Sequence, residues 1–243
     1  MPKLYFKHSP MNSGKSGLLL MQAHQFEESG IPFLCIKSSI DTRDGEDIIS
    51  SRTGLKRECL TISPTDNLYE LMERFITDSI LQGMEKPMWI LVDESQFLSP
   101  RQVEQLGNVV DRLDINVMCY GLRTDFTGHL FDGSKRLMEL ADDIEEIKIS
   151  CACGGKAIMN ARFDNTGTIL TEGEQIMIGG NEMYVHMCRK CYNNAISKKN
   201  MQEKDNFILN NLKHGKTSNQ KGNWNKKDRA FIFQGKTWAE FNR

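Results

Sequence analysis

No stretch of this chain comes near the roughly 18 consecutive apolar residues that a membrane-spanning helix needs. Its N-terminus, MPKLYFKHSP, also lacks the apolar core of a secretory signal. Together these absences lead to the expectation of a cytoplasmic protein with no membrane association. An excess of either sign of charge is missing as well, with 31 Lys and Arg against 32 Asp and Glu. That balance hides an asymmetry. Residues 197–243 carry 11 basic and 4 acidic side chains, or +7, which leaves 20 against 28, or −8, for the rest. A mildly acidic body argues against a duplex-DNA footprint on the main domain. Seven cysteines, an odd number in a chain expected in a reducing compartment, argue against a disulfide framework. Cys35, Cys59 and Cys119 stand alone, and the apolar settings of Cys35 and Cys119 fit buried thiols. There is no internal repeat of fixed period.

What is present fits an ordinary globular chain, 39% hydrophobic and 26% charged over 243 residues, long enough for one large domain or one domain and a small one. KLYFK near the N-terminus is a strand candidate, and SGLLLMQAHQFEES (16–29) a helix stopped by Gly30. IPFLCIK (31–37) reads as a second strand, followed by a polar loop. NLYELMERFITDSILQG from Asn67 places Leu68, Leu71, Met72, Phe75, Ile76 and Leu81 on one helical face. MWILVD (88–93) is a continuous apolar run ending in a carboxylate, as in a buried parallel strand. Pro100 suits the first turn of the helix PRQVEQLGNVVDRLD. INVMCYG (115–121) and EEIKIS (145–150) complete the strands. Alternation of this kind predicts an α/β fold, a parallel sheet flanked by helices, over 1–150. From Cys151 the composition turns Gly-rich, with turn signals bounded by cysteine pairs, which predicts a small β-rich lobe over 151–196. Beyond Ser197 the basic, Asn- and Lys-rich chain reads as disordered or loosely ordered.

Three features carry chemistry. SPMNSGKS (9–16) ends as a phosphate-binding loop does, although the pattern G-x-x-x-x-G-K-[ST] lacks its first glycine, Ser9 standing there. GKS alone is weak evidence, and the alternative is a lysine at an ordinary helix start. Its place between a strand and a helix is the context that the motif requires. Backbone amides of Ser13 to Ser16 then face phosphate at a helix N-terminus, Lys15 reaches the β/γ-phosphates and Ser16 ligates Mg²⁺. Ser9 is tolerable if its φ is negative. In ILVDESQF, Asp93 and Glu94 arrive at the C-terminal edge of the sheet. Asp93 fits the Mg²⁺-supporting carboxylate and Glu94 a base for a hydroxyl nucleophile; the alternative is an acidic strand end that caps the next helix. Finally, Cys151-x-Cys153 and Cys188-x₂-Cys191 are separated by 34 residues. Two pairs suit a closed tetrahedral Zn²⁺ site, with Gly154 and Gly155 allowing the tight turn, whereas free thiols or a redox pair would be the alternatives. With four thiolates the metal would be structural.

The segments MNSGKS, DTRDG, VDESQF, CYGLRTDFTGHLFDGS and EGEQIMIGGNEMYVHMCRKCY, in that order, resemble the type II, zinc-containing thymidine kinase family over about residues 3–195. The resemblance implies phosphoryl transfer from ATP to the 5′-hydroxyl of thymidine, and of deoxyuridine, in nucleotide salvage, with Glu94 as general base. It implies an ATP and Mg²⁺ site made by Ser9, Pro10, Met11, Asn12, Ser13, Gly14, Lys15, Ser16, Asp41, Arg43, Asp93 and Gln96. Met11, Phe97, Leu122, Phe126 and Phe131 would line the thymine pocket, while Met177, Gly179 and Tyr184 of a lasso loop between the cysteine pairs would contact the nucleoside. It further implies dTTP as a feedback inhibitor and a homotetramer. Ser9 and Ser95 depart from the family pattern at variable positions. The C-x-C spacing resembles a bacterial variant of the zinc knuckle, and the tail has no counterpart in it. A competing reading is an ATP-dependent nucleic-acid-associated protein with a zinc ribbon. For the tail, basic residues beside Phe231, Phe233, Trp238 and Phe241 could bind single-stranded nucleic acid, against the blander reading of a dispensable extension.

Overall fold

The structure, a computed structural model, describes residues 1–42, 45, 47–176 and 183–214, with side chains as far as residue 206. Within Met1–Met201, the first of two compact units, six parallel strands form the main sheet: β1 (Leu4–Ser9), β2 (Phe33–Ser38), β5 (Leu60–Ile62), β6 (Trp89–Asp93), β7 (Asn116–Leu122) and β8 (Asp143–Glu146). Their order is β5-β2-β6-β7-β1-β8, and every pairing is parallel. The central strands β6 and β7 are almost wholly buried because helices cover both faces, whereas the edge strand β8 is polar and largely exposed. One cluster joins Phe6, Ile36, Ile90, Val92 and Val117 to Leu68 and Met72 of α2 (Leu68–Leu81) and to Val103, Leu106 and Val109 of α3 (Pro100–Leu113). The other joins Leu91, Met118 and Tyr120 to Leu19, Leu20 and Ala23 of α1 (Lys15–Glu28).

Local chemistry sets the helix ends. Asn67 caps α2 by accepting from the Glu70 amide, while Ser99 and Gln102 make a reciprocal capping box before Pro100 on α3. Gly30, at φ 65, ends the first helix as expected. Cys35 and Cys119 are buried thiols as the sequence suggests, and burial pushes Cys35 up to about 12.

The structure differs from the sequence reading in four places. The polar loop after β2 contains a hairpin of β3 (Ile48–Ser50) and β4 (Lys56–Glu58), and β5 forms one edge of the main sheet. A short helix, α4 (Asp132–Leu140), follows the β7 loop, starting in the last three residues of the motif CYGLRTDFTGHLFDGS and running beyond it. Strand β8 lies at Asp143–Glu146 rather than 145–150, because its register follows β1, which ends at Ser9; Ile147 makes the last bond, to the His8 carbonyl. Beyond it the chain turns into the cysteine knuckle. Residues 197–214, expected to be loosely ordered, belong to the helix α5 (Arg189–His214), in which no Gly or Pro occurs before Gly215. The expected boundary at Ser197 therefore falls inside a helix. The aromatic tail segment from Phe231 lies outside the described residues. No helix among the described residues is long and apolar enough to cross a membrane.

The β-rich lobe is a three-stranded antiparallel sheet of β9 (Met159–Phe163), β10 (Ile169–Leu170) and β11 (Tyr184–Met187), with β9 central.

Candidate active site

The phosphate-type loop leaves the C-terminal end of β1. Ser9 is its last strand residue, buried and outside the described positive-φ positions, so the missing glycine is not needed there. The left-handed conformations fall instead on Asn12, φ 62, and Gly14, φ 81, which stands at the N-cap of α1. The loop is braced internally: Ser9 Oγ bonds the Pro10 carbonyl and the Ser13 hydroxyl. Lys15 folds back over it, buried, with Nζ 3.0 Å from the Pro10 carbonyl.

β6 delivers the two carboxylates. Asp93 is buried at the strand end, and burial, then the neighbouring Glu94, push its carboxyl up to about 7; a hydrogen bond from Ser16 and the Lys15 charge pull the other way. A buried carboxyl bonded to the loop serine, its ionisation opposed by its surroundings, fits a divalent cation. Glu94 follows at φ 48, a left-handed conformation that costs a non-glycine residue about 1–2 kcal/mol. The strain turns its carboxylate out of the strand. There it accepts from the Gln96 amide, whose own oxygen accepts from the Leu122 amide 2.9 Å away at the end of β7. The 3₁₀ turn Ser95–Phe97 that carries Gln96 packs so tightly that a Cβ at Gly121 would sit 2.5 Å from Ser95 Oγ, and one at Gly133 2.4 Å from the Leu98 carbonyl.

These groups open on one cavity of about 670 Å³. Its walls include Met11, Asn12, Ser13, Gly14, Lys15, Ser16, Asp41, Asp93, Glu94 and Gln96, together with Phe97, Leu122, Phe126, Phe131 and Tyr184. Phe97 and Phe131 meet edge to face, ring centroids 6.2 Å apart. The β3–β4 hairpin supplies Ile48 to Ser50, Ser51 packing against Gly17 of α1. Ser9 and Pro10 line only a water-sized recess elsewhere.

At the base of the lobe the four sulfurs of Cys151, Cys153, Cys188 and Cys191 all lie within 4.8 Å of one another, with Cys153 and Cys188 3.6 Å apart. Tetrahedral Zn–S bonds of about 2.3 Å require sulfurs about 3.8 Å apart, so the cluster fits zinc. The tight C-x-C turn closes through the Cys151 amide to the Gly155 carbonyl at 2.7 Å and through Gly154 at φ 83. Burial raises Cys151, but the Cys153 and Cys188 amides outweigh it and bring the thiol down to about 7, while Cys191, hydrogen-bonded to its three neighbours, is pushed up to about 12. Four thiols this close cannot all ionise without a cation; a dication lets them.

A family model described as thymidine kinase matches residues 2–192. The chain belongs to the thymidine kinase family. Its relatives in that family include a thymidine kinase of Streptococcus pyogenes serotype M3, 47% identical over 195 residues, or 80% of this chain and 98% of that protein. One from Vibrio parahaemolyticus is 44% identical, covering 82% of this chain and all of the other, and one from Legionella pneumophila 45%, covering 79% and 90%. Among solved structures, the Pif1 helicase of Candida albicans covers 60% of this chain and 36% of that one at 11% identity and a TM-score of 0.34, too low to argue from.

Within this thymidine kinase fold, Arg43, Met177 and Gly179 lie outside the described residues. Gln96, expected among the ATP and metal ligands, has both ends of its amide engaged by Glu94 and Leu122. Sequence reading named Asn12 and Tyr184 but missed Asn160, which also ties the lobe to the phosphate loop. Asn160 of β9, buried, accepts from the Met11 amide at 2.7 Å and donates to the Thr124 carbonyl at 2.6 Å, while Asn12 donates to the Tyr184 carbonyl at 3.3 Å. Asp125 accepts from Gln175 at 2.9 Å, and Lys37, buried beneath the hairpin, donates to the Gly45 and Ile48 carbonyls. One signal was available: alternation in MNARF puts the polar Asn160 and Arg162 on one face of a strand and Ala161 in the lobe core.

Proposed function

We propose that this enzyme transfers the γ-phosphoryl group of ATP to the 5′-hydroxyl of thymidine, and of deoxyuridine, for nucleotide salvage and DNA synthesis. The observation that carries this reading is the single cavity that brings Lys15, Asp93 and Glu94 together with Phe97, Phe126 and Phe131. Backbone amides at the start of α1 cradle the phosphates, and Lys15 holds the β/γ-oxygens as a point charge. Ser16 and Asp93, assisted by Asp41 and Arg43, would hold Mg²⁺, which when bound neutralises charge on the transferring phosphates. Thymine, uncharged, lies among Met11, Phe97, Leu122, Phe126 and Phe131, with Met177, Gly179 and Tyr184 in contact with the nucleoside. Glu94 takes the proton of the 5′-hydroxyl as its oxygen forms a bond to the γ-phosphorus. The bond from that phosphorus to the bridging oxygen breaks, ADP leaves, and the proton rests on the Glu94 carboxylate. Gln96 aims that carboxylate rather than ligating phosphate.

Cys151, Cys153, Cys188 and Cys191 would hold a structural zinc that fastens the lobe over 151–196, with all four positions filled by thiolate and none open to substrate. Kinship of this order also supports a homotetramer in the cytoplasm with dTTP as feedback inhibitor. The full chain should give labelled nucleoside monophosphate from labelled ATP with thymidine, little with other nucleosides, and little free phosphate without a nucleoside. ATP hydrolysis stimulated by nucleic acid, with no nucleoside phosphorylated, would overturn the reading in favour of a nucleic-acid-associated ATPase.

A further inference from the structure

Arg162 is an uncommon residue for the middle of a small lobe: 2% exposed and on the central strand β9, it lies opposite Tyr184 of β11. Its guanidinium stands over the Phe126 ring, 3.7 Å from the centroid. Nη1 donates to the Glu174 carbonyl at 2.9 Å and to the Tyr184 hydroxyl at 3.4 Å. Tyr192, from α5, donates to the Phe126 carbonyl at 2.7 Å, fixing the same residue by its backbone. Phe126 and Tyr184 line the cavity, from two elements far apart in sequence, while Arg162 is not among the lining residues. A single planar group therefore ties a wall of the β7 loop to a wall of the lobe sheet. Gly173 leaves it room: a Cβ there would come 2.6 Å from Nη2.

We propose that Arg162 is a positioning residue for the nucleoside half of the cleft, setting thymidine affinity by holding Phe126 and Tyr184 in fixed relation without touching the substrate. The proposal rests on the reading of this cleft as a thymidine site. Arginine is needed because a flat, delocalised cation can stack on a ring while its edge N–H groups point at a carbonyl and a phenol; the compact ammonium of lysine cannot do both. The phosphate loop has braces of its own, the Ser9 hydroxyl on Pro10 and Ser13 and the Lys15 ammonium on the Pro10 carbonyl, so donor handling should follow Arg162 far less than thymidine binding does.

Two variants of the full chain test this by steady-state kinetics and zinc content. Arg162→Lys keeps the charge and loses the stacked fork. Gly173→Ala leaves Arg162 in the sequence but pushes on the end of its side chain, at a glycine whose φ of 131 also disfavours alanine. Both should raise the KM for thymidine on the order of tenfold, leave the KM for ATP and kcat within about twofold, and retain one zinc per chain. Unchanged thymidine KM in folded, zinc-loaded Arg162→Lys overturns the proposal. So does loss of zinc, or a parallel fall of kcat and ATP affinity in both variants, because each marks a merely structural residue. Failure of the unmodified chain to phosphorylate thymidine would be a distinct result, removing the reading of the cleft and this inference with it.

Discussion

The parallel-sheet region and the cysteine-anchored lobe of this protein solve the same problem, holding one wall of a shared cavity, by different physics. The sheet region does it by packing. Phe6, Ile90, Val92, Val103, Leu106, Val109 and Val117, from β1, β6, α3 and β7, are wholly buried in one cluster that also takes in residues of β2, β5, α2 and α4. The lobe buries Cys151, Ala157, Ala161, Ile169, Met187 and Tyr192, two of them alanines and one a metal-type thiol. At about 25 cal/mol per Å² of apolar area, a core of that size gives a small return against the entropy of ordering some 45 residues. A lobe of this kind needs a staple, and the four sulfurs supply the site for one. The difference teaches where each region will fail: the first by cavities in its core, the second by loss of a single ion.

The largest expected effect comes from breaking the staple. Cys191→Ser should remove zinc and open the lobe, given that structural zinc contributes on the order of 10 kcal/mol to small metal-folded domains. Limited proteolysis should then cut within 151–196 while the sheet region stays resistant. Equal protection of both regions in zinc-free protein would erase the distinction. Next, Glu94→Gln should lower kcat by about 10²–10⁴ with thymidine and ATP binding retained, as the base is lost and its shape kept. Lys15→Ala, in contrast, should weaken ATP binding as well. Near-normal turnover in Glu94→Gln would remove Glu94 from the base role.

Much of the site was legible in sequence because its motifs are local. SPMNSGKS carries its own turn and helix start, VDESQF delivers two carboxylates at one strand end, and each cysteine pair is a short-range unit. What escaped was the long-range wiring. Asn160 meets Met11 across 149 positions and Thr124 across 36, and no local pattern predicts such a pairing. The motif places Gln96 at the cavity, and only geometry gives the bridge that its amide makes between Glu94 and Leu122. The tail composition suggested disorder, yet residues 197–214 continue a helix whose first turns pack Tyr192, Ala195 and Ile196 against the lobe and which meets no Gly or Pro before Gly215.

Two smaller effects sharpen the comparison from the packed side. Leu106→Ala, at a wholly buried position of α3, should cost about 2–5 kcal/mol of stability and leave zinc content unchanged. Thermal unfolding with metal analysis checks it, and concurrent zinc loss would mean that the two regions do not stand independently. The smallest effect concerns pH. Asp93, ordinarily at 3.8, is raised to about 7 in the fold, so its neutral form favours the fold most at low pH, and that contribution is lost as pH rises through 7. The melting temperature of ligand-free wild type relative to Asp93→Asn should therefore fall from pH 5 to pH 8. A flat difference would show that the carboxyl is already ionised across that range.

The central claim is that zinc holds the lobe's share of the nucleoside pocket, with Tyr184, while packing holds the phosphate loop and the aromatic residues Phe97, Phe126 and Phe131 of one cleft. Its most direct test is calorimetric binding of thymidine and of Mg–ATP to the full chain while zinc is stripped stepwise by a chelator that leaves Mg²⁺ in place. The account predicts that thymidine binding falls in proportion to zinc while ATP binding persists in the stripped protein. Thymidine binding that survives without zinc, or the two ligands lost together, would contradict it.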